Sequence, residues 1–370
     1  MRVMFICAAG IVAGKERQTL DLMMFLKQRG HDVFCITSSW GDGEYSRLLT
    51  TANIPHKRMR LGYIALNFRP AHIKMTLHQL VYTPSLWWKY RRLLRKVNPD
   101  VIVHSNIHHL LMLWPILGSA KQVFHVHDVF PVSSSYSRLF RLFNSKVGLF
   151  AGVSKFVCNQ LPKLGIPSPK IKLVYNGVRP PEVQSRTLNE VPVIAIVGQV
   201  AEWKGHEVLM EALKPQLDLS WKLYIIGAGE EAYISKLEKV IADAGMSERV
   251  TFMGKRIGLE NIYRDVDISC VPSLYRESFG LVAAEPGFFE IPVVASDLGG
   301  LPEIVINNQT GIIVPSGNAT ALSSAIRELL LDPDRRRKYG KAAREYVNKY
   351  FSIEASVSQM ESVLKEVTNV

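Results

Sequence analysis

At 370 residues the chain is longer than one hydrophobic core usually supports, so two domains of ordinary size are expected, and 47% hydrophobic content is ample for their cores. Its most extended apolar run, Leu110 to Leu117, is short and interrupted by Pro115, which excludes a transmembrane helix there. The formal net charge of +12 is unevenly divided: residues 1–180 carry 25 Lys and Arg against 7 Asp and Glu, or +18, and the remainder sums to −6. A strongly basic amino half suits nucleic acid, an anionic membrane face or phosphate-bearing substrates. The four cysteines, Cys7, Cys35, Cys158 and Cys270, are scattered and form no C-x-x-C pair, as expected of buried free thiols in a reducing compartment. The first residues fit a buried strand better than a signal peptide, so a cytoplasmic protein is expected.

In chain order the amino half reads as strand 2–8, helix 15–29, strand 32–37, helix 85–97, then strands 100–104, 121–126 and 147–153. A Pro-rich polar segment without periodicity, 176–190, joins it to the carboxyl half. There the pattern restarts with strands 191–198, 222–226, 249–252, 267–271 and 291–295, helices between them, and a helical tail from Asp334 onward. Strands alternating with amphipathic helices predict an α/β protein of two Rossmann-like domains, 1–180 and 190–350. Ligands of such sheets bind beyond the carboxyl ends of the strands, so the motifs are expected to converge on a cleft between the halves.

The richest stretch runs from Arg276 to Glu303. Glu277 and Glu285 stand eight apart across a loop-to-helix junction, with Ser278, Phe279, Gly280 and Leu281 between them, and the strand Pro292–Ser296 and the turn Gly299–Gly300 follow. Backbone N–H groups at Phe279 to Leu281 suit a diphosphate at a helix start. Glu277 before the helix and Glu285 about two turns along then suit two sugars of one nucleotide-sugar ligand. The alternative is a capped surface helix whose glutamates are solvated.

Other segments add chemistry. After the first strand, Gly10 to Arg17 opens a helix, and Gly14 lets the backbone approach an anion beside Lys15, although a plain tight turn has the same look. The strand Gln122–Val126 leads to His127 and Asp128; His125 and His127 share a strand face, but no third ligand is spaced for a metal. In Gly198–Gly205, Lys204 offers a cation at a helix start for a leaving diphosphate. A strand ends at Gly254, followed by Arg256, where backbone groups suit a base edge. Asp265-Val266-Asp267 is formally a D-x-D metal motif, but it lies where a helix gives way to a strand. On the helix 85–97, Trp87, Trp88 and Tyr90 interleave with Lys89, Arg91, Arg92, Arg95 and Lys96, a composition that suits an anionic lipid surface or a packed helix with a basic outer face. No nucleic-acid motif is present.

The Glu277 to Glu303 string resembles the donor-site signature of family 4 of the retaining glycosyltransferases, a Glu-x7-Glu motif followed by a Pro-Val-Val-Ala-Ser-Asp strand and a Gly-Gly-x-Pro-Glu turn. The resemblance implies the GT-B fold, with the last helix, about 352–370, crossing back onto an acceptor-binding amino domain. It implies metal-independent, cofactor-free transfer of a hexose from a nucleotide diphosphate sugar, UDP-linked by preference, to a glycan or lipid-linked acceptor. It assigns Glu277 to the donor sugar, Glu285 to the ribose, Lys204 and the Phe279–Leu281 N–H groups to the diphosphate, Gly254 and Arg256 to the base, His127 to the sugar near the anomeric carbon, and Asp128 to His127 or acceptor hydroxyls. Two departures stand out: Ala13 occupies the first Gly position of the Gly-Gly-x-Glu loop, and Gln199 replaces the Arg of Gly-Arg-x4-Lys-Gly, so that Arg256 is the substitute cation or turnover is slow. A basic amino half is typical where the acceptor is lipid-linked, so peripheral contact with the inner membrane face through 85–97 is expected. The alternatives are a non-catalytic, membrane-associated nucleotide-sugar binding protein and a nucleotide-sugar 2-epimerase on the same fold.

Overall fold

The computed structural model describes residues 1–7, 12–62, 64, 70–181 and 188–369, with backbone alone at 70–72. Ala8 of the first predicted strand, Gly10 and Ile11 of the glycine loop, residues 182–187 of the joining segment and Val370 lie outside the described residues. The chain divides into two compact units, Met1–Gly177 with Ile353–Val370, and Val178–Ser352.

Unit 1 is built on seven parallel strands, β1 (Arg2–Ile6), β2 (Asp32–Ser38), β3 (His56–Met59), β4 (Val101–His104), β5 (Lys121–Val126), β6 (Leu149–Gly152) and β7 (Ile171–Leu173). They lie in the order β3-β2-β1-β4-β5-β6-β7, with Phe5 of β1 registered against Cys35 on one side and Val103 on the other. Its helices are α1 (Gly14–Gln28), α2 (Glu44–Thr51), α3 (Pro70–Val97), α4 (Ile107–Leu113), α5 (Ser134–Asn144) and α6 (Lys155–Gln160). Unit 2 repeats the plan with β8 (Val193–Val197), β9 (Lys222–Ile226), β10 (Val250–Gly254), β11 (Ile268–Val271), β12 (Val293–Ser296) and β13 (Gly311–Val314), in the order β10-β9-β8-β11-β12-β13. Its helices are α7 (His206–Leu213), α8 (Glu231–Asp243), α9 (Leu259–Tyr263), α10 (Leu281–Ala284), α11 (Leu301–Ile304), α12 (Ala319–Leu331) and α13 (Pro333–Phe351), and α14 (Ile353–Thr368) returns to unit 1. In each sheet the winding reverses at its first strand, β1 or β8, so the loops after β1 and β4, and after β8 and β11, stand at the switch point where such sheets take ligands.

Two predicted elements change, and three strands join those predicted. The helix expected over 85–97 is the last part of the 28-residue α3, which runs through Pro84. Proline lacks the N–H that would bond the carbonyl of Leu80, and here it sits on the solvent side of the helix. The helical tail is two helices, because Ser352 is extended at ψ 155° and ends α13. Strands β3, β7 and β13 add to those predicted, and each is the edge of its sheet.

The amphipathic stripe of α14 completes the core of unit 1: Ile353, Val357, Met360, Val363, Leu364 and Val367 are buried with Val3, Phe5, Leu22, Leu26 and Val123. Truncating one of these side chains leaves a cavity the surroundings fill only in part. Met360→Ala is therefore expected to destabilise unit 1 by about 2–5 kcal/mol. Urea unfolding followed by probes in each unit should show the loss in unit 1 alone; an unchanged unit 1 midpoint would contradict the packing.

Candidate functional site

In unit 2 the loops after β8 and β11 meet at backbone level. The chain leaves β8 through Gly198 and Gln199 and turns at Glu202–Lys204, where the N–H of Gly205 donates to the carbonyl of Glu202 at 3.0 Å. Gly205 has φ +78°, and a Cβ there would stand 1.9 Å from the carbonyl oxygen of Pro272, just past β11. The N–H of Leu274 also donates to the carbonyl of Trp203 at 2.8 Å. This approach places Lys204 Nζ 2.5 Å from Glu277 Oε1, with the side chains only 12% and 15% exposed. Ser273 Oγ donates to the same oxygen at 3.0 Å, and Lys204 Nζ lies 4.2 Å from the centre of the Trp203 ring.

Glu277 is seated from the other side by the Gly299–Gly300 turn. The N–H of Gly300 donates to the carbonyl of Glu277 at 2.9 Å, and a Cβ on Gly299 (φ +60°) would stand 2.0 Å from that oxygen. The second glutamate is held separately: Glu285 Oε2 accepts from Tyr263 Oη at 2.9 Å. Tyr263 is buried, and its phenol is pushed well above the usual range by burial and by the Glu285 charge.

One expectation is corrected here. The helix between the glutamates is the four-residue α10, capped by Gly280 and running on as a 3₁₀ turn over Glu285–Phe289. Glu285 thus stands about one turn past Leu281, not two. A single turn sums few peptide dipoles, so the positive character facing an anion rests on the Lys204 ammonium more than on the helix end. Phe279 packs its ring on Phe351 at 5.4 Å and contributes to the core. Gln199 is exposed; Arg256 is exposed too, and its Nε donates to the carbonyl of Met253 in its own turn at 3.1 Å, beyond Gly254 (φ +64°).

The D-x-D pattern is a strap. Asp267 is fully buried at the foot of β11 and accepts from the N–H of Val193 at 2.8 Å and from Asn189 Nδ2 at 2.7 Å. Among the described residues no group of three or more His, Cys, Asp or Glu side chains is arranged to hold a metal ion.

In unit 1, α1 starts at Gly14, where the side chain of buried Glu16 folds back to accept from the N–H of Ala13 at 3.1 Å. Lys15 Nζ lies 3.7 Å from Asp128 Oδ2. Burial opposes the charge on Lys15, but Asp128 and Glu16 outweigh it and raise its pKa. His127, 5% exposed, sits just past β5 with its Nε2 3.1 Å from His125 Nδ1. Burial drives the interior histidines of unit 1 neutral: His104 falls to about 4, His109 and His125 to about 3, and His127 well below the usual range. His127 is therefore a neutral hydrogen-bonding group at physiological pH, not a proton donor. Ser273, Tyr263, His104 and His109 carried no sequence signal, since an isolated Ser, Tyr or His in an apolar or loop context looks like any other.

These buried histidines link stability to pH. Their folded-state values lie below the unfolded value near 6.5, so their contribution is complete above that pH and is lost as pH falls toward the folded values. At pH 5 His104, His109 and His125 should each cost unit 1 on the order of 1–2 kcal/mol. A urea midpoint for unit 1 that stays flat from about pH 7 down to 5 would refute this.

Comparison with known proteins places these features in context. Residues 180–346 match the family model described as Glycosyl transferases group 1, and residues 12–181 match Glycosyltransferase Family 4. A D-inositol 3-phosphate glycosyltransferase of Corynebacterium diphtheriae is 32% identical over 209 residues, 53% of this chain and 48% of that protein, so the chain spans about half the length of this curated relative. A glycosyltransferase structure from Rickettsia africae superposes with a TM-score of 0.83 at 22% identity, covering 99% of this chain and 98% of that one. Anabaena HepE in complex with UDP-glucose superposes at 0.80 and 20% identity, covering 99% and 100%. These are GT-B structures, and the two parallel sheets here share their fold.

Proposed function

The chain belongs to family 4 of the glycosyltransferases, the group 1 glycosyl transferases, and from that premise we propose that it transfers a hexose from a UDP-sugar to a glycan or lipid-linked acceptor, with retention of configuration and without a metal. The observation that carries the reading is the Lys204–Glu277 pair at the sheet's switch point, two charges held by loops that close on each other. Transfer breaks the bond between the anomeric carbon and the diphosphate oxygen, and negative charge gathers on the leaving group. Lys204 is the cation for that charge, in a site where partial burial strengthens it. Glu277 Oε1 holds Lys204 and Ser273, which assigns Oε2 to the donor sugar hydroxyls. Glu285, fixed by Tyr263, takes the ribose. In unit 1, neutral His127 is assigned to a sugar hydroxyl, and Lys15 and Asp128 to the acceptor. The UDP preference draws support from the UDP-glucose complex of HepE.

Alanine at either position would add a cavity to the uncompensated partner charge and endanger folding, so shape-conserving variants are the sharper test. Glu277→Gln and Lys204→Met are each expected to lower kcat/KM by a hundredfold or more, about 3 kcal/mol, while Glu277→Gln keeps UDP affinity within a few-fold. NMR of the product's anomeric proton reports retention in the same assay. Near-normal transfer by both folded variants would sink the assignment.

The exposed Gln199 lies in the same loop as Lys204, where the family pattern has arginine. Gln199→Arg is expected to tighten UDP binding about fivefold or more, the contribution of one added charge-assisted contact. Calorimetry showing no gain would place the diphosphate away from residue 199.

A further inference from the structure

Helix α3 carries its apolar residues on both sides. The inward side is set by Gln79, Thr83, Leu86 and Tyr90, all buried, at the i, i+4, i+7, i+11 spacing of one helix face. Trp87 leans the same way, its Nε1 donating to the carbonyl of Met112 at 3.0 Å. On the opposite side Ile73, Leu77, Leu80, Val81 and Trp88 follow the same periodicity and are between 38% and 74% exposed, with Pro84 exposed among them. The stripe from Ile73 to Trp88 is about 22 Å long. Scattered exposed apolar residues are ordinary, but a contiguous row of this length marks an interaction surface. In the same angular sector the row continues as Arg91, Arg92 and Arg95, all exposed, with the Arg92 guanidinium 5.6 Å from the centre of the Trp88 ring.

We propose that this outer face of α3, from Ile73 to Arg95, docks the protein flat on an anionic lipid bilayer, its apolar row in the acyl boundary and its arginines at the headgroup phosphates. The sequence pointed to 85–97, with Trp87, Trp88 and Tyr90 at headgroup level. The structure turns Tyr90 inward and leaves Trp88 as the outward aromatic, and the apolar contact lies one to four turns upstream. Charge complementarity selects the occupant. The 28 residues of α3 include six Lys and Arg and not one Asp or Glu. A second copy of the chain pairing through this face would set those cations against an equally acid-free helix, whereas anionic lipid supplies the countercharge. No helix among the described residues is long and apolar enough to cross a membrane, so α3 lies on the surface as an interfacial helix does. This inference does not depend on the donor-site reading.

The test uses the full chain with vesicles of phosphatidylcholine alone and of phosphatidylcholine mixed with phosphatidylglycerol. The wild type is expected to partition at least about tenfold more strongly onto the anionic vesicles, and high salt should weaken this binding without abolishing it, because the apolar row is unscreened. Each arginine near an anionic surface contributes roughly fivefold, so Arg91→Gln/Arg92→Gln/Arg95→Gln should lower partitioning by about a hundredfold. Leu80→Asp/Val81→Asp should lower it at least about tenfold, and both variants alter only outward side chains, so melting should match the wild type. Equal partitioning onto both vesicles, no partitioning, or unchanged binding by either variant would overturn the proposal. So would a wild-type dimer in sedimentation equilibrium that Leu80→Asp/Val81→Asp converts to monomer, which would assign the face to a second copy.

Discussion

The closeness of two loops in unit 2 decides what the rest of that unit can do. Lys204 and Glu277 are 73 positions apart and belong to different strand-to-helix connections, yet their charged atoms stand at 2.5 Å because the backbones behind them touch. A pair this shielded from water loses much of its hydration, and such a loss is recovered only with good geometry and further hydrogen bonds. Ser273 supplies one such bond to the same carboxylate oxygen. The Gly205 and Gly299 contacts are too close for any side chain at those positions. A methyl group at Gly205 would force the Lys204 loop off Pro272, and one at Gly299 would force its turn off the Glu277 backbone. Backbone approach and charge pairing are thus one constraint, and a ligand phosphate would meet a cation whose position is already fixed.

Legibility in the sequence followed burial. Strands running through the sheet interiors, such as Val193–Val197 and Val101–His104, are Val/Ile-rich and buried along nearly their whole length, as strands covered on both faces are. The strands that escaped notice are sheet edges. His56–Met59 and Ile171–Leu173 are short and carry Lys or Arg, as edges facing water do, and Gly311–Val314 spans four residues. The break at Ser352 was hidden because α13 and α14 are both amphipathic, and the change of the unit against which the stripe packs leaves no mark on its period.

The candidate site was legible as a linear motif and illegible as geometry. The Glu277–Glu285 spacing and the Gly299–Gly300 turn are local, and local patterns survive in a single sequence. The Ser273 bond, the Tyr263–Glu285 bond and the strap through Asp267 join residues distant in the chain or unremarkable in type. The histidines show the same limit. His125 and His127 were visible as a pair on a strand, but their neutrality arises from complete burial, which depends on chain packed over them from elsewhere in the sequence.

Unit 1 separates its chemistry by depth. Among its interior polar groups are histidines that burial keeps uncharged, whereas its large positive excess stays at the surface, on α3 among other places. A helix of a water-facing protein normally concentrates charge on its outer side and apolar residues on its inner side. The first four turns of α3 with described side chains do the reverse outside while still packing inside, and only the last turns return to a charged exterior. Leaving Leu77, Leu80, Val81 and Trp88 in water forgoes burial worth on the order of 1.5–3 kcal/mol for each large side chain. Propensity alone would place Lys, Glu or Gln there at no packing cost. The row is therefore not needed to fold unit 1, and its energy becomes available only against something apolar outside the chain.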